Sequence, residues 1–176
     1  MRRVVVTGIG AVTPVGNDIK TTWDNLVNGV SGIDFIPEER FSTEGLKVKI
    51  AGLVKDFEPT KYFEKKDLRK NDLYTQYAVA AATEAVEDSD ILGKIEEDNF
   101  GVYVGAGIGG LDSFYKNSIN MEKFGARKVS PFFIPMMIAN MASGTIAIKF
   151  KAKGPCVPII TACATGANSI GEAFHA

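Results

Sequence analysis

Apolar residues in this chain fall into short continuous runs, separated by stretches whose apolar positions recur at helical spacing. The run at 4–9 is continuous and β-branched, which predicts a strand buried on both faces of a parallel sheet. A loop over 8–16 follows. Asn17 or Asp18 then caps a helix with apolar positions Ile19, Trp23, Leu26, Val27 and Val30, ended by Gly29 to Gly32. Residues 33–46 read as irregular, and 47–54 as a short strand. The charged segment 61–70 leads into a long helix over 73–88, with Tyr77, Ala81 and Ala85 on one face. Residues 100–105 predict a further buried strand, 111–125 a helix, and 126–135, with two prolines, a loop. An apolar helix over 136–150 and a strand over 156–161 complete the pattern. Strands alternating with helices define an α/β fold with a mainly parallel sheet, built as one unit without repeats or linkers.

The strand at 156–161 runs into Ala162-Cys163-Ala164-Thr165-Gly166, and a helix-compatible segment begins at once. Small residues on both sides permit a sharp turn and the approach of a substrate carbonyl to sulfur. A helix start beyond the cysteine presents unpaired N–H groups and the positive end of the macrodipole, which favours a thiolate. The same groups could receive an oxyanion. Cys163 is therefore a candidate nucleophile, the alternative being a buried structural thiol. Cys156 is expected at the start of a buried strand and inert.

Composition narrows the chemistry further. With 20 Lys and Arg against 21 Asp and Glu, the net charge is −1, and no global field points to nucleic acid or membrane. Two cysteines and one histidine, His175, supply neither a disulfide framework nor a zinc site, so no metal is expected. This usage suits a reducing, cytoplasmic setting. Arg2-Arg3 precedes an apolar run too short for a signal peptide or a membrane span. The last predicted helix has no cap signal before Ala176, so the expectation is an N-terminal portion of something longer.

Three features have competing readings. Gly105-Ala106-Gly107-Ile108-Gly109-Gly110 matches Gly-x-Gly-x-x-Gly after a strand, yet no second strand precedes Glu122, the nearest acidic residue at the required distance. The reading is a tight turn with close backbone approach, with a dinucleotide-binding domain as the alternative. Lys61, Lys65, Lys66, Arg69 and Lys70, with Arg127 and Lys128, concentrate positive charge. A solvated face and a binding patch are equally compatible with them, although the absence of interleaved aromatics argues against nucleic acid. His175 is expected at the surface, because helical geometry points it away from the elbow.

The residues 4–16, Val-Val-Val-Thr-Gly-Ile-Gly-Ala-Val-Thr-Pro-Val-Gly, resemble the opening of the β-ketoacyl-acyl-carrier-protein synthases. Residues 161–173, Thr-Ala-Cys-Ala-Thr-Gly-Ala-Asn-Ser-Ile-Gly-Glu-Ala, resemble that family's nucleophile motif. The likeness spans the chain and is strongest to type II synthases of bacterial fatty-acid elongation. It implies a thiolase-like αβαβα layered fold, residues 1–176 being most of the first of two similar halves, truncated in the helix after the nucleophile. It implies that Cys163 accepts an acyl chain, with its own N–H on one side of the oxyanion hole. Ile108 would line the floor of the acyl pocket, and Phe133 would reach that pocket across a dimer interface. Lys65, Lys66, Arg69, Arg127 and Lys128 would greet acyl carrier protein. The implied reaction is decarboxylative Claisen condensation with malonyl carrier protein, by a homodimer and without cofactor. The family's two histidines, its lysine and the second oxyanion donor belong to the second half, so this segment alone is expected to be inactive. A polyketide ketosynthase, or a non-catalytic dimer-partner subunit, is the alternative; the presence of Cys163 argues against the latter.

Overall fold

The structure, a computed structural model, describes residues 3–176; Met1 and Arg2, the latter part of the N-terminal reading above, lie outside the described residues. The order is α1 (Ile19–Val27), β1 (Ile33–Phe35), β2 (Ile50–Gly52), α2 (Lys65–Leu68), α3 (Leu73–Ser89), β3 (Val102–Tyr103), α4 (Leu111–Phe124), α5 (Phe133–Met137), α6 (Met141–Phe150), β4 (Cys156–Val157) and α7 (Thr165–His175). β1 and β2 pair antiparallel, while β3 and β4 pair parallel with Val102 opposite Cys156. The α/β alternation read from the pattern is present, but the strands are shorter than their apolar runs. Residues 33–46 include β1, which pairs with β2 rather than remaining irregular.

The centre of the fold is α3 and α6 packed on β3. Val79, Val102, Ile146 and Ala147 form the buried cluster, with Tyr62, Phe63, Val104 and Phe150 around it. The face of α3 that is fully buried carries Thr75, Gln76, Val79 and Ala80. Tyr77, read as sharing one face with Ala81 and Ala85, is half-buried and packs edge-on against Phe57 at 4.9 Å. The expected helix over 136–150 is broken. α5 contains Pro135 in its first turn, where the missing N–H costs nothing, and Ile138 then adopts an extended conformation before α6 begins.

Two expected burials do not occur. Residues 3–12 join no sheet, and Val4, Val5 and Val6 are 46%, 58% and 80% exposed. A parallel strand is buried only when strands flank it and helices cover both faces. Here the segment hangs on α3: Asp88 accepts from the Ile9 N–H at 3.0 Å and Glu84 from the Ala11 N–H at 2.9 Å, while Glu84 also accepts from the Ile19 N–H of α1 at 2.8 Å. Likewise α1 forms as its spacing predicts, but its apolar face, Trp23, Leu26 and Val27, is exposed. The buried residue of α1 is Thr22, which hydrogen-bonds Thr13 and the Gly16 carbonyl. α1 is thus docked through its polar side.

The start of α1 is set by Asp18, whose carboxylate accepts from the Thr21 N–H at 2.7 Å. Asp18→Ala in the intact protein is expected to lower stability by about 1 kcal/mol, read from urea midpoints. The Thr21 N–H bond holds this carboxyl below its ordinary value of 3.8. The folded value lies under the unfolded one, so the contribution is complete above about pH 4 and fades as pH falls through the folded value. Wild type and variant should therefore converge in stability in strong acid.

Candidate active site

β4 leads through residues 158–161 into a strained elbow. Ala162 has φ +50°, a left-handed conformation costing a residue with a Cβ about 1–2 kcal/mol. The sharpest turn therefore falls one residue before Cys163. Cys163 occupies the middle of a single 3-10 turn, Ala162–Ala164, that feeds directly into α7. Hydrogen bonds lock this geometry. The Thr161 N–H donates to the Thr165 hydroxyl at 2.9 Å, Asn168 donates to the Thr161 hydroxyl at 2.7 Å, and the Ala164 N–H donates to the Thr161 carbonyl at 3.1 Å. Among the described residues, no hydrogen bond engages the Cys163 N–H. That group is available to an oxygen brought to the sulfur. Cys163 is exposed.

Thr161, Thr165 and Asn168 hold the elbow by hydrogen bonds, and the sequence reading passed over them. The signal was there: hydroxyl and amide side chains at positions flanking the turn, the residue types that bond nearby backbone. Cys156 departs from expectation, being exposed rather than buried, because β4 has β3 on one side only. His175 lies exposed at the end of α7, with its ring edge-on to Phe174 at 5.3 Å.

The Gly-rich turn is a device for close approach, as its tight-turn reading held. A Cβ on Gly105 would lie 2.0 Å from the Ile159 carbonyl oxygen and 2.3 Å from Thr165. A Cβ on Gly110 would lie 2.0 Å from the Met136 carbonyl oxygen. The turn is therefore wedged between the elbow and the α5–α6 junction, which leaves no room for side chains at either end. Ile108, at its middle, is 72% exposed. It lines an open cleft of about 320 Å³ with Gly110, Leu111, Phe114, Met137 and Ile138. Phe133 stands beside this cleft, its ring 6.2 Å from that of Phe114. Ile108 and Phe133 thus share one neighbourhood, though within this chain Ile108 sits on an open wall and not on a closed floor.

The basic residues divide. Lys65, Arg69, Arg127 and Lys128 are exposed, and Lys66 is exposed but paired with Glu64 at 2.7 Å, which raises its pKa above the ordinary 10.5. Lys70 pairs with Asp67 and lies 5.9 Å from the Phe132 ring centre. Among the described residues, no cluster of three His, Cys, Asp or Glu side chains could hold a metal ion. None of the described helices is long and apolar enough to cross a membrane.

A nucleophile elbow on an α/β scaffold, backed by a Gly-rich turn and an apolar cleft, is the arrangement of the thiolase-like condensing enzymes. Residues 1–176 match the β-ketoacyl synthase N-terminal domain, and the chain belongs to that family. It is 48% identical over 174 residues to 3-oxoacyl-[acyl-carrier-protein] synthase 2 of Staphylococcus aureus strain COL, covering 98% of this chain and 42% of that protein. The Vibrio harveyi protein of the same name is 46% identical, over 98% of this chain and 41% of the relative. A solved β-ketoacyl synthase from Burkholderia phymatum superposes with a TM-score of 0.83 at 25% identity, over 99% of this chain and 43% of that one. The chain therefore spans less than half the length of these relatives.

Proposed function

We propose that these residues form the acyl-accepting half of an enzyme that extends acyl chains by decarboxylative Claisen condensation in fatty-acid synthesis. The observation that supports this most is the hydrogen-bonded elbow, which leaves Cys163 exposed and its N–H without a hydrogen bond, packed against the Gly-rich turn whose Ile108 lines an apolar cleft. In the proposed reaction, the Cys163 thiolate attacks the acyl carbonyl of a carrier-bound thioester. A new C–S bond forms, the carrier's C–S bond breaks, and the carrier thiol leaves protonated. Malonyl carrier protein then loses carbon dioxide, and the resulting carbanion attacks the acyl-cysteine carbonyl. The Cys163 thiolate is expelled, and a β-ketoacyl thioester two carbons longer departs on the carrier. The Cys163 N–H steadies the oxyanion in both attacks. Acid–base groups for decarboxylation come from the remaining length represented in the relatives, and the working enzyme is a cytoplasmic homodimer in which Phe133 reaches the neighbouring cleft. The cycle uses no metal or organic cofactor. Incubating the full-length protein with acyl and malonyl carrier proteins should release one carbon dioxide per two-carbon extension; acyl-enzyme formation without extension would refute the condensing assignment.

Lys65, Lys66, Arg69, Arg127 and Lys128 form the docking surface for the acidic carrier. Their attraction acts on encounter and is screened over a Debye length of about 8 Å at physiological salt. Reversing the charge at Arg69 or Lys128 should raise KM for carrier-borne substrate at low salt and leave turnover of a small thioester unchanged. Equal effects on both substrates, or none, would show a merely solvated face.

A further inference from the structure

The N-terminus of α3 holds both walls of the Ile108 cleft. Asp72 caps α3 by accepting from the Tyr74 N–H at 3.2 Å. Its other carboxylate oxygen accepts from the Ser113 N–H at 3.1 Å and the Ser113 hydroxyl at 2.5 Å, in the first turn of α4. Asp72 is 7% exposed and Ser113 4%, so this carboxylate is buried between two helix starts, where the macrodipoles favour negative charge. Two residues along, the Tyr74 hydroxyl donates to the Ile138 carbonyl at 2.5 Å. Burial holds the Tyr74 phenol above its ordinary pKa of 10.0, so it remains a protonated donor throughout the neutral range.

These two attachments fall on opposite sides of one space. Leu111 and Phe114 of α4 form one wall of the cleft, and Met137, Ile138 and Ala139 form the other. Gly110 lies where the three meet, since a Cβ there would stand 3.1 Å from the Asp72 Cγ and 2.0 Å from the Met136 carbonyl oxygen. The helix that supplies both attachments also supplies Val79 and Ala80, at 0% and 1% exposure, so it is anchored in the core. By contrast, Leu111 and Ile108, which line the cleft, are 56% and 72% exposed and gain little from packing.

We propose that Asp72 and Tyr74 are positioning residues that fix the width of the Ile108 cleft and thereby set which acyl chains reach Cys163. The proposal rests on the acyl-transfer reading given above. Each residue acts through the wall it holds and touches no reacting atom. Releasing a wall lets the cleft open for long chains, while a short chain, which does not fill it, is unaffected. The discrimination therefore lies in KM for long substrates and not in kcat for short ones.

Tyr74→Phe deletes one hydroxyl and keeps the ring in place. Ser113→Ala deletes one donor to Asp72 and spares the cap of α3, which an Asp72 variant would lose. In the full-length protein, acylation of Cys163 by short and long acyl thioesters would be followed by intact mass, alongside thermal unfolding. Either variant should change the ratio of long- to short-chain kcat/KM about fivefold, the loss expected of one neutral hydrogen bond, with short-chain kcat retained. An unchanged ratio in both variants would overturn the proposal. So would a uniform loss at all chain lengths accompanied by a lower Tm, which marks a purely structural role. If the wild type is not acylated at Cys163, the acyl-transfer reading fails as well; acylation of the wild type with unaltered variants sinks only the positioning role.

Discussion

Cys163→Ala in the full-length protein should abolish acyl transfer, with a loss on the order of a millionfold, as expected when a covalent catalyst loses its nucleophile. Two cysteines are accessible, so exposure does not select between them. Local geometry does. Cys163 sits in the 3-10 turn that feeds an eleven-residue helix, and among the described residues no hydrogen bond engages its N–H, which is therefore available to the oxyanion of an attacked carbonyl. Cys156 lies in a two-residue strand opposite Val102, and not in the turn that feeds the helix. An electrophilic acyl-thioester analogue should therefore label Cys163 first, and Cys156→Ala should retain both labelling and activity. Peptide mapping that found Cys156 modified equally or preferentially would overturn the assignment.

Ile108→Phe should shorten the acyl chains the enzyme accepts. The side chain stands on a turn whose two ends are clamped at Gly105 and Gly110, so it cannot retreat by backbone movement. Extra bulk against Phe114 and Met137 must then be met by the substrate. Overpacking costs about 1–3 kcal/mol, or roughly 5- to 150-fold in kcat/KM for a chain long enough to reach it. A short chain should be turned over nearly as in wild type. The check is a series of acyl thioesters of increasing length; a uniform fall across the series would point to misfolding and not to a pocket.

Features decided by neighbouring residues were legible in the sequence. The elbow could be read because small residues, hydroxyls and a helix start are local signals, and Ala162 to Thr165 fold largely on their own chemistry. The Asp18 cap and the long α3 follow from the same kind of signal, whereas the Asp72 cap of α3 was not read. What failed was the choice of partner. An apolar run such as 4–9, or the Trp23 face of α1, records a capacity for burial without naming the surface that would cover it. The break in the helix expected over 136–150 was hidden because Ile138 is bonded by a tyrosine 64 residues away. Cys156 was misjudged for a related reason: an apolar strand reads as buried whether or not it has neighbours on both edges.

The attachment of the N-terminal segment to α3 has a consequence for biogenesis. Ile9 and Ala11 find their acceptors in Asp88 and Glu84, separated by 79 and 73 residues. At synthesis rates of about 5–20 residues per second, the first segment leaves the ribosome roughly 4–16 seconds before those carboxylates exist. Throughout that delay the Ile9 and Ala11 N–H groups lack these acceptors. These residues must wait for α3, and holdase chaperones have their opportunity in that interval.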